Sequence, residues 1–153
     1  MHPSHAFSWD NYLLACSNCN SNYKRSQFPV DAVGHPLLIN PMEDDPMDHL
    51  DLSFSTGKLV PCTKKGEVSI KVFGLDRQVL ETGRRDAWAI LCALVLRYDT
   101  LSRLAEKDEV ERIVNALKNQ SFSCVSLYAK SYYDLGHFDV VAPSDVHDAV
   151  DSP

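Results

Sequence analysis

The chain has 153 residues, 44% hydrophobic and 24% charged, which is enough apolar surface for one packed core and excludes a wholly disordered chain. No window approaches the roughly 18 to 20 consecutive apolar residues of a membrane helix, and no basic segment precedes an apolar one at the N-terminus, so the chain reads as cytoplasmic with no membrane partner. Five cysteines cannot complete an internal disulfide framework, which fits a reducing compartment and makes clustered thiols candidate metal ligands.

The net charge of −6 argues against a polybasic nucleic-acid binder, but it is unevenly spread. Residues 1–40 sum to zero, 41–57 to −5, 58–103 to +4 and 104–153 to −5. The middle of the chain is therefore expected to offer a positive face to phosphate.

In chain order, the first seventy or so residues are rich in proline and turn formers, with short apolar runs at Tyr12 to Ala15, Leu37 to Ile39, Leu50 to Phe54 and Leu59 to Val60. Short strands or irregular structure fit these runs, not long helices. Helical spacing follows at 75–97, 107–118 and 121–134. The unbroken apolar stretch Ala87 to Leu96 predicts a helix buried on all sides, with Trp88, Ile90, Leu91, Leu94 and Val95 in the core. Asp76 is expected to cap that helix, which should end near Asp99 or Thr100; Ser121 is expected to cap the last helix and Gly136 to stop it. The acidic cluster Glu43-Asp44-Asp45 with Asp48 and Asp51 lacks EF-hand alternation and reads as turn structure. Thr56-Gly57-Lys58 is not a phosphate loop, since Leu52 occupies the first-glycine position. His137 and His147 read as surface residues. The fold class is α+β, in one unit over 1–140 with a helical part at 75–136; residues 141–153 are expected to form a flexible acidic tail.

The informative stretch runs from Trp9 to Arg25. Cys16 and Cys19 are separated by two residues, the spacing that lets both sulfurs of a tight knuckle reach one tetrahedral zinc at about 2.3 Å. Cys62, Cys92 and Cys124 stand apart, so the sequence displays one pair and no second. By spacing alone the pair admits three readings: half a zinc site, two structural thiols, or a redox pair.

The pattern W-x-N-x-L-L-x-C-x-x-C-N-x-x-x-K over Trp9 to Lys24 resembles the second half of the HNH endonuclease motif, the ββα-metal fold. The likeness continues through Phe28-Pro29, Leu37-Leu38-Ile39-Asn40-Pro41, Asp44-Asp45-Pro46, His49-Leu50, Gly57, Ser69-Ile70, Gly74-Leu75-Asp76-Arg77, Leu80 and Arg84-Arg85. This ordered string is similar to the HNH nuclease subunit of Septu-type anti-phage systems. The resemblance implies a partial ββα zinc-knuckle element over 1–30, an irregular segment and a C-terminal helical bundle. It also implies a metal-dependent endonuclease acting on DNA phosphodiesters beside an ATPase partner subunit.

Carried over position by position, the resemblance places the family's central asparagine at Asn11 and its last motif position at Asn20. Cys16 and Cys19 would hold a structural zinc. Asn11 would orient the catalytic histidine, and Asn20 would contact a catalytic magnesium or manganese ion or the substrate. Lys24 and Arg25, on the helix after the knuckle, would neutralise a DNA phosphate. The sequence departs from the pattern upstream: the first-strand Asp-His or Glu-His has no counterpart, because only eight residues precede Trp9. An N-terminally shortened protein, weak or inactive alone, is expected. The alternative is a non-catalytic zinc-knuckle or helical interaction module.

Overall fold

The computed structural model describes residues 13–103, 107–118, 122 and 124–137. The chain is α+β. A π-wound knuckle helix, Asn18–Lys24, leads through turns and a 3-10 turn, Pro46–Asp48, into strands β1 (Leu50–Ser53) and β2 (Lys58–Pro61). Four helices follow: α1 (Lys64–Phe73), α2 (Gln78–Arg103), α3 (Lys107–Lys118) and α4 (Cys124–Asp134). None of the described helices is long and apolar enough to cross a membrane.

The apolar runs Leu50 to Phe54 and Leu59 to Val60 become an antiparallel hairpin in which Leu50 faces Pro61 and Leu52 faces Leu59. Leu50 and Leu52 point into the core while Asp51 and Ser53 are half-buried, the alternation expected of a strand with one covered face. Phe54 continues the inward side and packs its ring 4.3 Å from Trp88 and 5.7 Å from Tyr132, edge-on to the latter. Around this trio, Leu52, Ala87, Cys92, Val125, Tyr128 and Ala129 complete the core. The buried Tyr128 hydroxyl donates to the Leu50 carbonyl at 2.8 Å, and the Tyr132 hydroxyl donates to Asp51 at 2.9 Å. These two bonds fasten α4 across β1.

Helix α1 falls where short strands or irregular structure are expected from the sequence. Its Val68, Ile70 and Val72 resemble a strand by composition. Its ends decide otherwise: the Thr63 side chain accepts the Gly66 N–H at 3.2 Å, and Gly74, at φ +59°, closes the helix in the left-handed region. The central segment is thus a hairpin and a helix, with irregular chain confined to the residues before β1.

Helix α2 corrects the expectation of burial on all sides. Ala87, Trp88 and Cys92 are buried, but Ile90 is 52% exposed and Ala89 and Ala93 are exposed too. Leu91, Leu94 and Val95 are half-buried. The hairpin and α4 cover one side and α3 another, which leaves a stripe of α2 facing outward. Its start also shifts: Arg77, not Asp76, precedes the first helical residue, and the Arg77 carbonyl accepts the Leu80 N–H at 2.9 Å. The helix runs on to Arg103, past Thr100. Gly136, at φ +70°, ends α4 as expected, with the His137 N–H returning to the Tyr132 carbonyl. Ser121, His147 and the acidic tail lie outside the described residues.

The hairpin approaches α2 closely at Gly57. Its φ is +71°, and a Cβ there would stand 1.9 Å from the Glu81 carbonyl oxygen. Gly57→Ala is therefore expected to destabilise the protein by more than the roughly 1 to 2 kcal/mol of left-handed strain alone. Urea denaturation measures it, and a loss under about 0.5 kcal/mol would mean that the turn moves freely away from α2.

Candidate functional site

The knuckle is built by a short reversal. The Asn20 N–H donates to the Cys16 carbonyl at 2.9 Å, turning the chain between the two cysteines into the knuckle helix. Cys16 is exposed and Cys19 half-buried. The Cys16 sulfur is served by the amide of Cys19, then by that of Asn18 and by the Cys19 side chain. These contacts, with a smaller pull from Arg77, outweigh burial and hold the Cys16 thiol below its ordinary pKa. The two sulfurs thus lie together at the head of a helix. Two thiolates so placed could supply two ligands of a tetrahedral thiophilic metal. Among the described residues no three His, Cys, Asp or Glu side chains converge on one point, so the other corners are not supplied there.

The knuckle helix buries none of its own residues and depends on what α1 and α2 offer it. Tyr23 lies against Gly74, where a Cβ would come within 2.3 Å of its ring. The Arg77 guanidinium stacks over the Tyr23 ring at 4.4 Å and donates through Nη2 to the Cys19 sulfur at 3.3 Å. Burial works against the charge on Arg77, but contacts with Tyr23 and Cys19 prevail and hold its pKa above the ordinary value. Arg77 belongs to the Gly74-Leu75-Asp76-Arg77 string, yet nothing in the sequence pairs it with the knuckle.

The remaining candidates are placed as follows. Asn20 is exposed at the start of the knuckle helix. Lys24 is half-buried in its last turn, and Arg25 is the exposed residue just beyond it, at φ +49°. Arg25 spends Nε on the Asn22 carbonyl at 2.9 Å, leaving the rest of its guanidinium outward. Cys16, Cys19, Asn20, Lys24 and Arg25 therefore share one short element. Asn11 lies outside the described residues, as do His2 and His5, the two histidines near Trp9 that could replace the missing first-strand base.

The acidic cluster resolves into structural bonds, in keeping with its turn reading. Asp45 accepts the Met47 N–H, Asp51 accepts from Tyr132, and Asp44 accepts the Asn40 N–H at 2.7 Å and both short contacts of Lys65. No sequence pattern signals the companion of Asp44: His49 lies 3.8 Å from its carboxylate and bonds Thr63 through Nδ1 at 2.8 Å. This is a histidine–acid pair, but it serves the wrong end of α1 for Asn20. The His49 backbone abuts Gly66 while the knuckle abuts Gly74, and eight helical residues separate these points by about 12 Å.

These features define a cysteine-knuckle element set on a hairpin and helical body. Over 93 residues the chain is 40% identical to the Septu protein PtuB of Bacillus mycoides strain KBAB4, covering 52% of this chain and 31% of that relative. Over 106 residues it is 32% identical to the Septu protein PtuA of the same strain, covering 58% of this chain and 14% of PtuA. The chain therefore spans less than a third of PtuB and about a seventh of PtuA. No protein-family profile matches it, and no solved structure does.

The Asp44 network sets an acid dependence. Its carboxyl is held below the usual range, first by the Lys65 hydrogen bond and then by the Asn40 amide. A depressed folded value stabilises fully above the ordinary pKa of about 3.9 and fades as pH falls through the folded value. Asp44→Asn is expected to lose stability at neutral pH and to flatten the decline of the urea midpoint between about pH 5 and 2. Parallel declines in the two proteins would show that Asp44 has no linked role.

Proposed function

We propose that the chain is an HNH-type, metal-dependent endonuclease element that hydrolyses DNA phosphodiester bonds in Septu-type anti-phage defence, beside an ATPase partner subunit. The observation that carries this reading is the cysteine pair at the head of the helix bearing Asn20 and Lys24, with Arg25 just beyond it, in the order of the family string. The similarity to PtuB supports the defence role, and the likeness to both PtuB and PtuA supports a multi-protein setting.

In this reading Cys16 and Cys19 hold zinc, which fixes the knuckle, and Asn11 orients the catalytic base. Asn20, open to solvent, contacts the catalytic site, while Lys24 and Arg25 receive a phosphate at the helix end. When bound, magnesium or manganese supplies charge stabilisation for the leaving oxygen. A general base contributes about 10² to 10⁴ in rate. His49, the histidine paired with Asp44, lies at the other end of α1 from the knuckle, so hydrolysis by the chain alone is expected to be weak. The second reading is a non-catalytic zinc-knuckle or helical interaction module, which the outward apolar stripe of α2 at Ala89, Ile90 and Ala93 favours.

Supercoiled-plasmid relaxation in magnesium, manganese or chelator separates the two. The chain alone should nick slowly or not at all, whereas a form extended upstream by an Asp-His-bearing strand should cut when metal is present. In that extended form Asn20→Ala should lower the rate by about 100-fold or more with the fold intact. Silence from a folded extended form, with the partner subunit present, would favour the interaction module.

A further inference from the structure

We propose that Arg77 is the positioning residue of the cysteine knuckle, acting as the outer-sphere hydrogen-bond donor and counter-charge of the metal-bound Cys19 sulfur. The proposal rests on the metal reading of Cys16 and Cys19 and deepens it.

The first ground is geometric. Cys19 and Tyr23 are four residues apart, one turn along the same side of the knuckle helix. A single guanidinium reaches both, donating to the Cys19 sulfur at 3.3 Å and covering the Tyr23 ring at 4.4 Å. The partners lie 58 residues apart in sequence, so the grip joins the knuckle to the corner between α1 and α2. Gly74 keeps that corner open by admitting the Tyr23 ring closer than a Cβ would allow.

The second ground is an imbalance in Arg77 itself. Its Nε and Nη1 atoms are buried without a hydrogen-bond partner, and no carboxylate among the described residues pairs with it. A buried donor left unmet costs about 1 to 3 kcal/mol, more on a charged group. A thiol is a weak acceptor for such a cation, whereas a metal-bound sulfur is deprotonated outright and carries negative charge towards it. The charge on Arg77 is thus best matched when the knuckle is loaded. Outer-sphere donors of this kind orient metal ligands and tune their affinity. Lysine cannot substitute, because the same group must lie flat on Tyr23 and donate sideways to sulfur.

The test uses the full chain as wild type, Arg77→Met and Arg77→Lys, with Arg85→Met as a control cation elsewhere on α2. Zinc and cobalt affinities are read by chelator competition and by the sulfur-to-cobalt charge-transfer band. Amide hydrogen exchange across residues 17–25 reports knuckle order without metal. Arg77→Met should weaken metal binding by about 10- to 100-fold, Arg77→Lys should recover only a small part, and Arg85→Met should stay within about twofold. Knuckle amides in metal-free Arg77→Met should exchange about tenfold faster or more. Equal losses in Arg77→Met and Arg85→Met, or an unchanged affinity in Arg77→Met, overturn the proposal. If the wild type binds neither metal, the metal reading fails by itself, and with it the counter-charge role of Arg77. Unchanged exchange in Arg77→Met would then overturn the positioning role as well.

Discussion

Arg84 is 4% exposed and directs its guanidinium at backbone carbonyls, donating to Gly57 at 3.2 Å and to Leu75 at 2.5 and 3.2 Å. Burial lowers its pKa, and no described carboxylate forms an ion pair with it. Each charge-assisted bond returns about 1.5 to 3 kcal/mol, while taking the ion out of water costs several. The balance is close to even, so Arg84 specifies more than it stabilises. Only one arrangement of the hairpin turn, the α1–α2 corner and α2 satisfies it. That corner carries Gly74 and Arg77, which together hold Tyr23 and Cys19. The position of the knuckle therefore depends on a cation that never touches it.

The body and the knuckle are held by different physics. The body packs Phe54, Trp88, Val125 and Tyr128 around the hairpin, and this close-packed core resists local opening. The knuckle helix buries no residue and is joined through one aromatic ring, one guanidinium and local hydrogen bonds. Such an element sits at the low-stability end of its protein. Metal ligation is the ordinary remedy, since the binding free energy of a structural zinc becomes folding free energy. If the proposed metal binds, placement by Arg77 and fixation by metal would be complementary: one would set where the sulfurs lie, the other how firmly.

Local patterns made much of this architecture legible in sequence. The two strands fall on apolar runs for which the sequence predicts short strands or irregular structure, and the later helices follow from their spacing. Cys16, Cys19, Asn20, Lys24 and Arg25 could be grouped because they are neighbours in the chain. Helix α1 was hidden because Val68, Ile70 and Val72 carry strand composition, while Thr63 and Gly74 settle the matter by capping. Ile90 was assigned to the core because an unbroken apolar run conceals which side its neighbours cover. The bonds from Arg84 to Gly57 and from Arg77 to Cys19 join distant positions with no periodicity between them. Sequence patterning has no means of pairing them.

Residues 58–103 carry a surplus of +4, which suggested a positive face. In the fold that surplus is dispersed. Lys64 and Lys71 share Glu67, whose carboxyl their hydrogen bonds hold at about 2. Lys65 is tied to Asp44, Arg85 to Asp86 and Arg97 to Glu109. Arg84 is buried among carbonyls and Arg77 lies on Cys19. Exposed ion pairs are weak, and a phosphate can compete for their cations, but it must displace a carboxylate each time. Lys24 enters no described ion pair, and Arg25 gives up only Nε, to a carbonyl of its own helix. Among the described side chains, Lys24 and Arg25 at the end of the knuckle helix and Lys58 on β2 are thus the cations that the proposed backbone phosphate would meet without displacing a carboxylate, and the first two lie beside Asn20 and the cysteine pair.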